Sequence, residues 1–160
     1  MGNRCRLRPA SSADVPALAV LERESFTDPW TARQIEMAVD DDAVIAIIAQ
    51  ATDGALMGYV LARAIEDEGE ILSITAGPAF RRKGVGRRLL DAAISELHQR
   101  GARTAWLEVR RSNAAAHALY LGAGFVATGV RKAYYQRPPE DAIVLRRALP
   151  LTALRGPREG

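Results

Sequence analysis

Three groups of residues in this 160-residue chain have types and spacings suited to chemistry. The first is Arg81-Arg82-Lys83-Gly84-Val85-Gly86-Arg87-Arg88, five basic side chains around two glycines. An apolar run, Ile71 to Ala76, precedes it and reads as a strand, and Leu89, Leu90, Ala93, Ile94 and Leu97 follow with the spacing of one helix face. The turn therefore opens a helix, whose first N–H groups have no intrahelical partner and carry the positive end of the dipole. Gly84 and Gly86 lack a Cβ, so an anion can come close to the main chain. Such a turn either holds a phosphate-bearing ligand or is solvated basic surface. Gly-x-x-x-x-Gly-Lys-Ser/Thr is absent, which argues against a nucleoside-triphosphate loop. A dinucleotide fingerprint would need a third glycine near Leu89.

The second group is one carboxylate, Glu108, in the strand Thr104 to Val109. Alternation sets Ala105, Leu107 and Val109 on one face, Trp106 and Glu108 on the other. A carboxylate in an apolar strand is costly to bury without a partner, and partial burial would raise its pKa toward a general base's range. The alternatives are a wet strand face or an ion pair with Arg110. The third group, Asn113, His117 and Tyr120, shares one face of a helix running from Asn113 to Leu121. Asn113 can cap that helix or touch a ligand. Tyr120 is either a core tyrosine or a proton donor that stays protonated at neutral pH, since a phenol titrates near ~10. His117 has the ordinary reading of a surface or packing residue.

These groups need a scaffold, and the rest of the chain supplies its parts. Cys5 to Arg8 is a short strand, and Ser11 or Asp14 caps a helix carrying Ala17, Leu18, Val20 and Leu21. Pro29 breaks that helix at Phe26-Thr27-Asp28-Pro29-Trp30, and Thr31 caps a second one carrying Ile35, Met37 and Ala38. Val44 to Ala49 and Leu56 to Ala62 form a hairpin around Thr52-Asp53-Gly54, and Glu66 to Glu70 is a solvated acidic turn. Gly101 closes the helix after the basic turn, and Gly122 or Gly124 ends the later one. Phe125 to Val130 and Ala142 to Leu145 make a final strand pair, with Tyr134-Tyr135 and Pro138-Pro139 in the loop between. Antiparallel strands first, then strands alternating with helices, give a mixed α/β sheet with one crossover around the anion turn. We expect one domain over residues 1–149 and a frayed, disordered tail over 150–160.

Composition narrows the function classes. Apolar content of 48% and charged content of 26% are those of an ordinary globular protein. With 22 basic and 19 acidic residues the net charge is +3, too small an excess to argue for nucleic acid but compatible with a polyanionic cofactor. Cys5 is the only cysteine and there are two histidines, so neither an intrachain disulfide nor a metal site is expected. No apolar signal core, membrane-length run or myristoylation pattern is read, and the protein is expected in the cytoplasm without a membrane partner.

The pattern Arg-x-x-Gly-x-Gly from Arg81 to Gly86, between such a strand and helix, resembles the acetyl-CoA pyrophosphate loop of the GNAT superfamily of N-acetyltransferases. Trp106 to Arg110, Ser112 to Ala116, Ala118-Leu119-Tyr120 and Gly124-Phe125 narrow the likeness. So do Phe26 with Pro29-Trp30, Tyr134-Tyr135 and Glu140 to Ile143. Together they resemble the ribosomal-protein-alanine N-acetyltransferases, the RimI type, from about Arg6 to Leu149. The resemblance implies a GNAT fold: a mostly antiparallel mixed sheet, helices on both faces and a splayed central strand pair. It implies acetyl transfer from acetyl-CoA to the α-amine of a protein N-terminus, with a ribosomal protein in the acceptor role. By the same resemblance Glu108 accepts the proton and Tyr120 gives one to the departing thiolate. Ile74, Thr75 and Ala76 hold the pantetheine and acetyl carbonyl, Arg82, Lys83, Gly84, Val85, Gly86 and Arg87 cradle the pyrophosphate, and Asn113 touches the cofactor. Tyr134 and Tyr135 line the acceptor groove or pack as ordinary loop residues. One departure from the family pattern is Ala76-Gly77-Pro78, where an acidic residue usually precedes the proline. A lysine or small-amine acetyltransferase, or a non-catalytic CoA- or RNA-binding module, remains the alternative.

Overall fold

The computed structural model describes residues 4–150, so the expected tail from 151 onward and the first three residues lie outside the described chain. Seven strands form one sheet in the order β1-β2-β3-β4-β5-β7-β6. The strands are β1 (Cys5–Pro9), β2 (Val44–Ala51), β3 (Leu56–Ile65), β4 (Glu68–Ala76), β5 (Thr104–Arg110), β6 (Val126–Gln136) and β7 (Pro139–Ala148). All neighbours are antiparallel except β4 and β5, which the crossover helix makes parallel. The helices are α1 (Val15–Ser25), α2 (Ala32–Asp40), α3 (Val85–Gln99) and α4 (Ala114–Gly122).

Each helix follows from its sequence. Thr31 caps α2 reciprocally: its Oγ1 accepts from the Gln34 N–H at 3.1 Å while its own N–H donates to Gln34 Oε1 at 2.8 Å. In α3, Val85, Leu89, Leu90, Ala93, Ile94 and Leu97 are all buried against the sheet, the face its spacing predicts. Each leucine so buried stabilises the fold by about 1.5–3 kcal/mol. A second cluster on the opposite face packs Leu18, Leu21 and Ile35 of α1 and α2 over Ile48, Tyr59 and Leu61. The sheet is thus covered on both faces at its β1–β4 end.

Local details differ from the sequence expectation for physical reasons. Val20 is exposed because the buried stripe of α1 runs through Val15, Leu18, Ala19, Leu21 and Glu22, and Met37 is 62% exposed because α2 buries Ile35 and Ala38 instead. The acidic stretch is a turn only at Glu66-Asp67; Glu68 to Glu70 already belong to β4. Tyr134 and Tyr135 do not sit in a loop but in β6, which continues past a register shift between Arg131 and Tyr135. That irregularity re-aims both rings and hid the strand's true length.

Two irregularities open the middle of the sheet. Parallel pairing of β4 with β5 covers only Glu68 to Glu70 against Thr104 to Trp106. Just beyond, Leu61 pairs Ser73 while Ala62 pairs Ile71, so Leu72 is an extra residue in β4. A bulge bends its strand and ends pairing, and the two central strands separate from there on. Gly58 lets α3 close tightly over this region, since a Cβ there would lie 2.6 Å from the Thr75 carbonyl oxygen and 3.1 Å from Leu89.

Candidate active site

The turn before α3 is built largely from main chain. Arg82 and Gly84 both take positive φ, 61° and 77°. At Gly84 a Cβ would meet nothing within 4 Å, so the turn's outer surface is open. The first intrahelical bond runs from the Arg88 N–H to the Gly84 carbonyl at 3.1 Å, which leaves the N–H groups of Val85, Gly86 and Arg87 ahead of it as the helix start. Arg82 and Lys83 are exposed, with the Lys83 ammonium 5.9 Å above the Phe80 ring. Val85 buries its side chain in the core, so only its main chain faces the turn. Arg87 is engaged elsewhere: it pairs with Asp91 at 3.0 Å and donates to the Gly122 carbonyl at 3.0 Å, tying the turn to α4. At Ala76-Gly77-Pro78, the Gly77 N–H donates to the Met57 carbonyl at 2.8 Å and Pro78 starts a short 3-10 turn. The strand end is thus fixed without an acidic side chain.

Ile74, Thr75 and Ala76 are half-buried at the end of β4. Their β3 side is paired, whereas pairing with β5 has already stopped at Glu70. One edge of this segment is free to pair with an extended ligand. Bare anion turn, open strand edge and adjoining cavity suit a long thioester ending in a diphosphate.

The cavity, about 360 Å³, is lined by residues from α1, the α1–α2 loop, β4, β5, α4 and β6. Ile74, Glu108, Asn113, Tyr120 and Tyr135 all line it, so five residues singled out in the sequence meet there. Tyr120 is almost fully buried, edge-on to Phe125 at 6.0 Å between ring centroids. Burial, and then Tyr135, push its phenol well above the usual range. Asn113 caps α4, its Oδ1 accepting from the Ala116 N–H at 3.1 Å, while still facing the cavity. His117 carries a buried Nε2 without a partner among the described residues.

Glu108 stands at a junction. It lines the cavity and also a second groove of about 390 Å³ bounded by Arg63, Glu70, Trp106 and Arg131. Its ion pair is with Arg131 at 3.0 Å, not with neighbouring Arg110. Tyr134 also hydrogen-bonds Glu108, which raises the Tyr134 phenol's pKa. Tyr135, on the cavity side, is pushed up to about 12 by burial and then by the Glu108 charge.

Several residues here carried no sequence signal that was used. Glu22 is the buried carboxylate of α1, 2% exposed, accepting from the Trp30 N–H at 3.1 Å and the Ser73 hydroxyl at 3.4 Å. Tyr59 extends the chain to Ser73 at 3.2 Å. Burial raises the Glu22 carboxyl above its ordinary value, against these two donors. Its position, four after Leu18 on the apolar stripe, could have exposed it. Arg131 had no such signal, because its partner lies across the sheet.

Comparison with known proteins agrees with this geometry. Residues 15–125 match the acetyltransferase (GNAT) family. The chain is 34% identical over 143 residues to the [ribosomal protein bS18]-alanine N-acetyltransferase of Escherichia coli (strain K12), covering 88% of this chain and 94% of that one. It is 30% identical over 145 residues to a putative enzyme of the same description from Bacillus subtilis (strain 168), covering 91% and 96%. The crystal structure of the ribosomal-protein-S18-alanine N-acetyltransferase from Escherichia coli superposes with a TM-score of 0.85 at 29% identity, over 96% of this chain and 99% of that one.

Proposed function

Because the chain belongs to the GNAT family of acetyltransferases, we propose that it acetylates the free α-amine of a protein N-terminus, the bS18 ribosomal protein first among acceptors. Acetyl-CoA is the donor, and when bound it supplies a thioester carbonyl open to attack and a thiolate able to leave. The observation that carries the reading is that Glu108 and Tyr120 line one cavity, walled on its far side by Phe26 and Thr27 of the α1–α2 loop and by Tyr135. An amine entering between the α1–α2 loop and Tyr135 meets the carboxylate inside the cavity.

Each residue then has a role. Main-chain groups of Ile74, Thr75 and Ala76 hold the extended pantetheine as an added strand, and an N–H there polarises the carbonyl. The N–H groups of Val85, Gly86 and Arg87, with the Gly84 turn and the Arg82 and Lys83 charges, receive the diphosphate. Arg87 contributes its main chain and braces the turn through Gly122. Asn113 faces the cofactor while capping its helix. Glu108 takes the proton of the α-ammonium, through water. That amine titrates near about 7.7–8.0, so a modest base suffices. Tyr120, protonated at neutral pH, donates its hydroxyl proton to the leaving sulfur. Tyr134 and Tyr135 flank the incoming peptide. We take residues 1–149 as the transferase unit and the cytoplasm as its compartment; among the described residues no helix is long and apolar enough to cross a membrane.

The test is acetyl-CoA with a panel of peptides, including the bS18 N-terminus, followed by thiol release and by mass analysis of the modified nitrogen. Acetylation at the α-amine is expected. Release at the blank rate defeats the reading, and transfer to lysine or small amines alone replaces it with the side-chain alternative.

A further inference from the structure

Arg110 ends β5 with its guanidinium between two segments distant in sequence. One terminal nitrogen, Nη1, donates to the Pro138 carbonyl at 3.1 Å and toward Glu140 Oε2 at 3.5 Å. The other, Nη2, donates to Thr27 Oγ1 at 3.1 Å and to the Arg137 carbonyl at 3.2 Å. The face of the group lies 4.2 Å from the centre of the Tyr135 ring. Glu140 is itself held by the Ser112 N–H at 2.6 Å, which keeps its carboxyl below the usual range and so fully charged toward Arg110. The α1–α2 loop, the β6–β7 turn and the end of β5 therefore meet on one planar cation, a geometry that a flexible ammonium cannot reproduce.

Phe26, Thr27, Arg110 and Tyr135 all line the cavity. On the reading above, which places the acceptor on this side, they border the first residue of the incoming chain. We propose that Arg110 is a positioning residue that fixes the width of the acceptor mouth and so limits the size of the acceptor's first side chain. The loop is pinned from inside as well, by the Trp30 N–H on Glu22. From outside, Thr27 to Arg110 is its hydrogen bond to β5, since the Asp28–Arg137 pair is long at 3.9 Å and exposed. Without the guanidinium the two walls lose their shared anchor, and the mouth widens rather than vanishing.

The experiment compares wild type with Arg110→Ala, Arg110→Lys and Thr27→Val, using peptides that begin with Ala or with Leu. For Arg110→Ala the acceptor KM should rise about tenfold, with the acetyl-CoA KM unchanged and kcat altered far less. Preference for the Ala start over the Leu start should fall about fivefold, the range expected when one apolar contact is relaxed. Arg110→Lys should restore little of either, and Thr27→Val should move both about twofold in the same direction. Amide exchange, measured with no substrate present, should quicken at residues 26–31 and 137–140 in Arg110→Ala. Unchanged exchange, an unchanged acceptor KM, or a fall in kcat alone overturns the proposal. If Arg110→Ala does not fold, Thr27→Val decides by the same criteria. Quickened exchange in Arg110→Ala, beside a wild type that transfers no acetyl group, would fault the functional reading and leave the anchor standing.

Discussion

The two halves of the candidate site are made of different material. Toward α3 the surface is main chain: a turn with two positive-φ residues, a free strand edge and the start of a helix. Toward β6 it is side chains drawn from far apart, with Thr27 meeting Arg110 across 83 positions and Glu22 meeting Ser73 across 51. A surface of main chain recognises a constant partner, because peptide groups offer the same donors whatever the side chains. A surface of side chains can change its partner by one substitution. The donor is common to the whole family and the acceptor is not, and the division of material follows that difference.

The sharpest way to break the comparison is at the side-chain wall. Glu108→Gln keeps the shape and removes the proposed base, so kcat should fall at least about 100-fold in a steady-state assay while acetyl-CoA binding by calorimetry is retained. Tyr120→Phe should lower kcat by about tenfold or more, and wild-type rates in both variants would remove them from the mechanism. Next comes the main-chain wall. Gly84→Val places a branched residue at φ 77°, which costs about 1–2 kcal/mol of backbone strain. The acetyl-CoA KM should rise about tenfold with the acceptor KM unmoved, whereas Lys83→Ala, at an exposed position, should change it only about twofold. If trimming the lysine hurts as much as replacing the glycine, the turn is a side-chain site after all.

Smaller effects lie in stability. Burial raises the Glu22 carboxyl in the fold, so its contribution is full below the ordinary value near 4.5 and is lost as pH rises through the folded value. Glu22→Gln should therefore flatten the decline of urea resistance as pH rises above that ordinary value. Asp14 has the opposite sign. Its pair with Arg8 at 2.8 Å lowers it from 3.8 to about 2, so its stabilisation is present above pH 3.8 and is lost on falling toward 2. Arg8→Ala should cost about 1 kcal/mol at pH 7, and the gap from wild type should close between those two values.

The same contrast explains what the sequence could disclose. Residues 71–97 run as one contiguous strand, turn and helix, so that side's local structure was legible, and the buried face of α3 is the one its spacing predicts. Trp106 and Glu108 likewise fall on the face opposite Ala105, Leu107 and Val109, as alternation requires. The acceptor side is legible only in part. Arg131, Arg110 and Glu22 act through partners that no local period connects to them, and Tyr134 and Tyr135 were assigned to a loop because an irregular register breaks the strand's alternation. The Leu72 bulge also has no sequence mark, since one extra residue in an apolar run leaves its composition unchanged.

Three residue pairs are all that zip β4 to β5 before they part. A ligand seated along the parting adds contacts across it. Saturating the donor at 100 times its dissociation constant should add about 2.7 kcal/mol to the folding free energy. Resistance to heat and to proteases would then rise and fall with the supply of activated acetyl groups, making the lifetime of the chain a gauge of the metabolism that feeds it.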